Sequence, residues 1–182
     1  MEMMEMNVGN KVNYPNQGPC LVASVVNREI AGNSMSFYRL ALLDDSGGEL
    51  FVPVTKVEES GLRQLLKTSE IPMLLEQLTK SGQVSKDWKQ RARDHMKLLL
   101  SGSAFDLAEV VESLTTLNDC KALSVRESSI LEKAKRLLVC EISEVMGNTK
   151  IAAEEMINGA LNGRENVRHV ARQVLTKEGT DG

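Results

Sequence analysis

Aromatic side chains are scarce in this sequence: six among 182 residues, with a single tryptophan. Cysteine is scarcer still, and Cys20, Cys120 and Cys140 stand far apart with no CxxC or other ligand spacing. That pattern argues against a disulfide framework and against a zinc site. Positive charge is not in excess either. Lys and Arg number 22 against 25 Asp and Glu, a net charge of −3. A uniformly basic coat for nucleic acid is therefore excluded, and only a local patch could serve. No apolar run approaches the ~18 residues that a membrane span needs. The opening stretch MEMMEM has neither a basic region nor an apolar core, so no signal peptide and no membrane partner are expected, and the expected compartment is the cytoplasm.

Motifs that carry catalysis are missing as well. There is no phosphate loop of the GxxxxGK[ST] type, no GxGxxG and no GxSxG elbow. His95 and His169 are isolated, Asp44-Asp45 suits a turn, and Glu154-Glu155 suits a helix surface. No enzyme, cofactor or metal is expected.

What is present divides the chain in two. Tyr14, Phe37, Tyr38 and Phe51 crowd the first 51 residues, and only Trp88 and Phe105 follow. Aromatic and β-branched residues favour strands, so the early segment reads as β and the remainder as helical. Strands are expected over 8–14, 20–30, 37–43 and 50–54, separated by turn signals at Asn16-Gln17-Gly18, Ala31-Gly32-Asn33 and Asp44 to Gly48. Short strands at this spacing suggest a small barrel or a strongly bent sheet. From Leu62 the apolar period becomes 3.6. Gly61-Leu62-Arg63 reads as a short helical opening, and four helices follow around Ile71–Leu78, Trp88–Leu99, Leu107–Leu117 and Ile130–Val145. Asp87, Ser103 and Ser124 read as their caps, with Ser124-x-x-Glu127 a full capping box. Ser81 to Ser85 reads as a linker. Residues 149–176 read as two peripheral helices broken at Asn162-Gly163, and the last six residues as disordered.

Charge is local. Residues 69–102 carry six basic against four acidic residues, the one stretch with a positive excess. Lys86, Lys89, Arg91, Arg93 and Lys97 cluster there around Trp88, at a helix start where free N–H groups favour phosphate. An indole beside cations can stack on a base or wedge into a disturbed step. The competing reading makes Trp88 a core or staple residue and the helix face merely solvated.

The stretch from Val8 to Gly18, VGNKVNYPNQG, resembles the opening of the bacterial CarD/CdnL proteins. The similarity continues at Phe51-Val52-Pro53-Val54, Gly61-Leu62-Arg63, Trp88, Ser101-Gly102, Ala108 to Leu114 and Leu123-Ser124 to Glu144, over roughly residues 7–146. The resemblance implies an α+β protein with a Tudor-like or SH3-like β-barrel over 1–68 and a compact helical domain over 69–146; residues 147–182, outside the resemblance, read as a helical appendage with a tail. It implies a non-enzymatic regulator, held at the nucleoid by RNA polymerase; a monomer is the simpler reading of its oligomeric state. The barrel would dock on the polymerase β subunit through Arg28, Phe51 and Pro53. The helical domain would meet promoter DNA at the upstream bubble edge, weakly and without sequence preference, and so stabilise the open complex. Trp88 matches the family's DNA-wedging tryptophan, and Arg91 and Arg93 match basic positions after it. Gln90 stands where some members carry a basic residue, for which Lys89 could substitute. Two alternatives accompany this assignment: Phe51 as barrel core with Arg28 a plain surface residue, and a polymerase-bound protein adaptor that makes no DNA contact.

Overall fold

The structure, a computed structural model, describes residues 6–178, with side chains from 6 to 164. Five strands open the chain: β1 (Lys11–Tyr14), β2 (Gly18–Ile30), β3 (Asn33–Leu42), β4 (Glu49–Pro53) and β5 (Arg63–Gln64). They form one antiparallel sheet in the order β4-β3-β2-β1-β5. The register between β2 and β3 shifts between Val22 and Ser24, and such a bulge bends the strand and steepens its twist. Among the described residues no ladder joins β5 to β4, so the barrel stays open at that seam. Alternation sends Val12, Cys20, Val22, Leu40 and Val52 inward to a small apolar core.

Five helices follow: α1 (Ile71–Thr79), α2 (Trp88–Leu100), α3 (Ala104–Cys120), α4 (Val125–Met146) and α5 (Lys150–Glu178). The fold is thus α+β, sheet first and helices after. The helix caps sit where the sequence places them. Asp87 accepts from the Lys89 and Gln90 amides, Ser103 accepts from Asp106, and Ser124 forms the reciprocal box with Glu127. Leu74, Leu78, Leu114, Leu138 and Ile142 are fully buried in the helical core, each contributing on the order of 1.5–3 kcal/mol by leaving water.

Two expectations change. Residues 61–63 do not open a helix; Gly61 turns the chain at a φ of 72° and Arg63 enters β5, paired with Asn13 of β1. Ser81 to Ser85 links α1 to α2 within the helical body. The region after Met146 holds one helix that runs through Asn162-Gly163 unbroken, and it is not peripheral: Ala153 and Ile157 are wholly buried in the same core as α1, α3 and α4. His169 and the expected disorder of the last six residues fall, wholly or in part, outside what is described.

The two modules meet directly. Arg63 donates to both carboxylate oxygens of Glu141 on α4, at 2.7 and 2.8 Å, and to the Gly102 carbonyl at 2.6 Å. The Asn13 amide reaches the same carbonyl at 3.2 Å. Lys11–Glu144 at 2.7 Å and an ion pair between Lys150 and Asp45 extend the seam. Gly102 has a φ of 83°, and a Cβ there would stand 2.9 Å from the Pro15 ring. Only glycine both accepts that backbone and lets Pro15 close on it.

Candidate functional site

Trp88 opens α2 and is 64% exposed, so it is not a core or staple residue. Asp87 caps the helix beneath it, leaving the indole at the edge of the helical body with the Lys89 ammonium 5.6 Å from its ring centroid. Along α2, the stripe Trp88, Ala92, Met96 and Leu100 borders a trough whose far wall is the start of α4. Lys89, Arg93 and Lys97 line the α2 side. Lys86 is exposed in the segment just before the helix. Gln90 carries no charge but steers one, accepting from Arg93 at 2.8 Å while donating to Asp94 at 2.8 Å.

Arg91 departs from the expectation. It is buried, donates through Nε and Nη2 to Glu127 and gives Nη1 to the Ser85 carbonyl at 2.7 Å. Its charge is spent on the protein itself and does not face a ligand. The Glu127 carboxylate it meets also caps α4. Burial alone would raise Glu127, but the Ser124 amide and hydroxyl and the Arg91 guanidinium outweigh it and hold the carboxyl at about 2. Beside them His95 is buried, with Nε2 3.0 Å from the Ser113 hydroxyl. Desolvation first, then the Arg91 charge, lowers its pKa below the ordinary 6.5, so it packs as a neutral ring.

Sequence reading missed the α4 side of the trough. Arg126 and Lys133 line it together with the exposed Val125, and Arg126 reaches every part of it. The one carboxylate among the lining residues, Glu127, is the one Arg91 neutralises. The surface around the tryptophan is therefore cationic in a chain that is acidic as a whole. The signal for these residues is the i, i+7 spacing of Arg126 and Lys133 on one helical stripe.

The second candidate surface lies on the sheet. Register places Arg28, Phe37, Arg39, Phe51 and Pro53 on the face opposite the barrel core. Phe51 is 38% exposed and so is not barrel core, and the Arg28 guanidinium stacks 4.3 Å above its ring. Arg28 is thus tied to Phe51 as one cation–π unit and is not an independent surface charge. Pro53 follows at the end of the same strand. Arg39 is engaged by Glu49 at 2.6 Å and Ser24 at 3.0 Å. The sheet face and the α2–α4 trough share no residue. Among the described residues, no cluster of His, Cys, Asp and Glu could hold a metal ion, and no helix is long and apolar enough to cross a membrane.

A bent antiparallel sheet with one apolar–cationic face thus leads into a helical body that presents a tryptophan in a basic surface. Residues 6–66 match the CarD-like/TRCF RID domain and residues 73–158 match the CarD C-terminal domain. The chain belongs to the CarD/CdnL family. It is 22% identical over 145 residues to YdeB of Bacillus subtilis (strain 168), a candidate transcription factor, covering 79% of this chain and 94% of that one. It is also similar to the solution NMR structure of the 72-residue N-terminal domain of Myxococcus xanthus CarD, at 34% identity and a TM-score of 0.29, over 35% of this chain and 84% of that one. The match to the CarD C-terminal domain includes the first part of α5, as far as residue 158.

Proposed function

We propose that this protein binds the RNA polymerase β subunit through Arg28, Phe51 and Pro53 and stabilises the open promoter complex by contacting DNA at the upstream bubble edge. Trp88 is the wedge, with Lys86, Lys89, Arg93 and Lys97 on its own side and Arg126 and Lys133 across the trough. The protein acts as a monomer, without catalysis, wherever polymerase holds it on the nucleoid. The observation that carries this reading is Trp88 itself: a largely exposed indole, at a capped helix start, in the cationic part of an acidic chain.

The physics fits a tethered reader better than a free one. A handful of phosphate contacts gives a nonspecific Kd of about 10⁻⁴–10⁻⁶ M. Once the sheet holds polymerase, nearby DNA is met at an effective concentration of up to ~mM. Wedging into intact duplex costs a few kcal/mol of unstacking, and at a fork strand opening has already met that cost. A preference of ~1.4 kcal/mol for the open state shifts the open-to-closed ratio about tenfold.

The test is the lifetime of open complexes under heparin challenge. The unsubstituted chain should lengthen it, and Trp88→Ala should bind polymerase equally but lose the gain; an unchanged lifetime overturns the wedge. A second reading, a polymerase-bound adaptor without DNA contact, draws on Leu100 and Val125, exposed apolar residues beside the trough. A photoreactive residue at position 88 separates the two: labelled promoter DNA favours the first, a protein adduct the second.

A further inference from the structure

Between α1 and α2 the chain crosses residues 80–87 with almost no regular structure, yet it delivers Trp88 to a defined place. Asp87 caps α2 and Val84 packs against the helical core, and two hydrogen bonds to buried side chains hold the backbone between α1 and α2. Near its end, the Ser85 carbonyl accepts from Arg91. Near its start, the Gly82 amide donates to Glu112 Oε1 of α3 at 2.9 Å. Glu112 is a buried carboxylate, 7% exposed, and a buried carboxylate keeps its charge and place only with partners.

Those partners come from α5. Arg164 is 3% exposed. Its Nη1 donates to the Glu112 carbonyl at 3.2 Å and stands 3.7 Å from Glu112 Oε1. Its Nη2 donates to Thr116 Oγ1 at 2.7 Å and lies 3.3 Å from Asp119 Oδ2. The Thr116 hydroxyl stands 2.9 Å from Glu112 Oε1 and 3.0 Å from the Glu112 carbonyl, in reach of either. A continuous chain of contacts therefore runs from α5 through Glu112 to Gly82. Among the described residues the buried Arg164 Nε has no hydrogen-bond partner, while the rest of the guanidinium serves Glu112, Thr116 and Asp119. Arg164 also lies beyond residue 158, where the matched family domain ends.

We infer that Arg164 is a positioning residue: by neutralising Glu112 it fixes the 81–87 segment and thereby the place of Trp88. Part of this inference rests on the proposed role of Trp88, but the positioning step is measured without it.

The experiment is hydrogen exchange on the full-length chain, resolved for residues 81–87, with Arg164→Met, Glu112→Gln and the double variant. Arg164→Met leaves the buried Glu112 without its counter-charge, and protection of the Gly82 amide should fall tenfold or more. Glutamine at 112 keeps an acceptor for Gly82 and needs no counter-charge, so the double variant should recover protection to within about threefold of the unsubstituted chain. If Arg164→Met fails to fold, a double variant that folds supports the inference, and one that also fails to fold overturns it. Unchanged exchange over 81–87 in a folded Arg164→Met overturns it too, as does a double variant no better protected than the single. Open-complex lifetime is the second readout: lost with Arg164→Met, restored in the double variant. Should the unsubstituted chain give no lifetime gain, the wedge reading falls, and exchange alone decides for or against Arg164.

Discussion

Arg63 on β5 and Glu141 on α4 form a two-pronged ion pair across the joint between sheet and helices, and Glu141 is only 1% exposed. The Leu66 amide adds a third hydrogen bond to the same carboxylate at 3.0 Å. Removing one partner of a buried pair leaves an uncompensated charge at a cost of about 3–5 kcal/mol. Arg63→Met should therefore destabilise the protein by that order in urea unfolding, and split one transition into two as sheet and helices uncouple. Arg63→Met with Glu141→Gln should recover much of the loss. A single unshifted transition in Arg63→Met would show that the joint is held elsewhere.

Trp88 and Arg91, three positions apart, should behave oppositely. Trp88→Ala removes a largely exposed side chain and should change stability by less than ~1 kcal/mol while open-complex stabilisation disappears. Arg91→Ala breaks the pair with Glu127 and should cost ~3 kcal/mol in thermal or urea unfolding. Its effect on DNA contact should then follow the loss of folded protein and not a missing phosphate contact.

On the sheet, Phe51→Ala should weaken capture of polymerase at least tenfold, as expected for an aromatic anchor, with the melting temperature nearly unchanged because the ring is outside the core. Arg28→Ala should give a smaller loss in the same direction. Surface-immobilised polymerase and the full-length variants provide the measurement, with Trp88→Ala as the control that still binds.

Two pH ranges should separate the buried His95 from the partly buried Glu127. The folded pKa of His95 lies below its unfolded value, so the unfolded chain takes up the proton first as pH falls. Stability from this site is complete above the ordinary 6.5 and declines as pH drops from there toward the folded value. Glu127 titrates near 2 when folded against 4.5 ordinarily, so its contribution is intact above 4.5 and is lost between 4.5 and about 2. Thermal melts from pH 8 to pH 3 should show both declines. His95→Gln should remove the upper one and Glu127→Gln the lower.

Thiol chemistry offers a compact check on the packing. Burial first, then the Asp44 charge, pushes Cys20 up to about 12, and burial raises Cys140 as well, whereas Cys120 is exposed. A thiol reagent at pH 8 should titrate one cysteine rapidly in the native protein and three after unfolding; Cys120→Ser should abolish the rapid phase.

Local signals read well in this chain. The three helix caps and the hairpin at Ala31-Gly32 depend on residues a few positions apart, and the sequence carries that information directly, whereas the local sequence left Trp88 open between an exposed and a core position. What it concealed depends on distant partners. Arg91 looks like a surface cation until Glu127, 36 residues on, is brought beside it. Arg63 sits in an apparent helix start because Asn13, its partner on the neighbouring strand, lies far back in the chain. Asn162-Gly163 looks like a break because glycine costs a helix about 1 kcal/mol, yet burial of Ile157 and the anchoring of Arg164 hold the helix through it. Arg126 and Lys133 were hidden by counting charge along segments: residues 103–146 are acidic in sum, while the stripe that faces Trp88 is not.

The placement of α1 has one more consequence. It is covalently continuous with β5 yet lies in the helical core against α3 and α5. A protease nick between Ser81 and Ser85 would thus not liberate two separable pieces. The upstream fragment would keep its own shoulder lodged in the downstream one, and the molecule would survive as a heterodimer of its own halves.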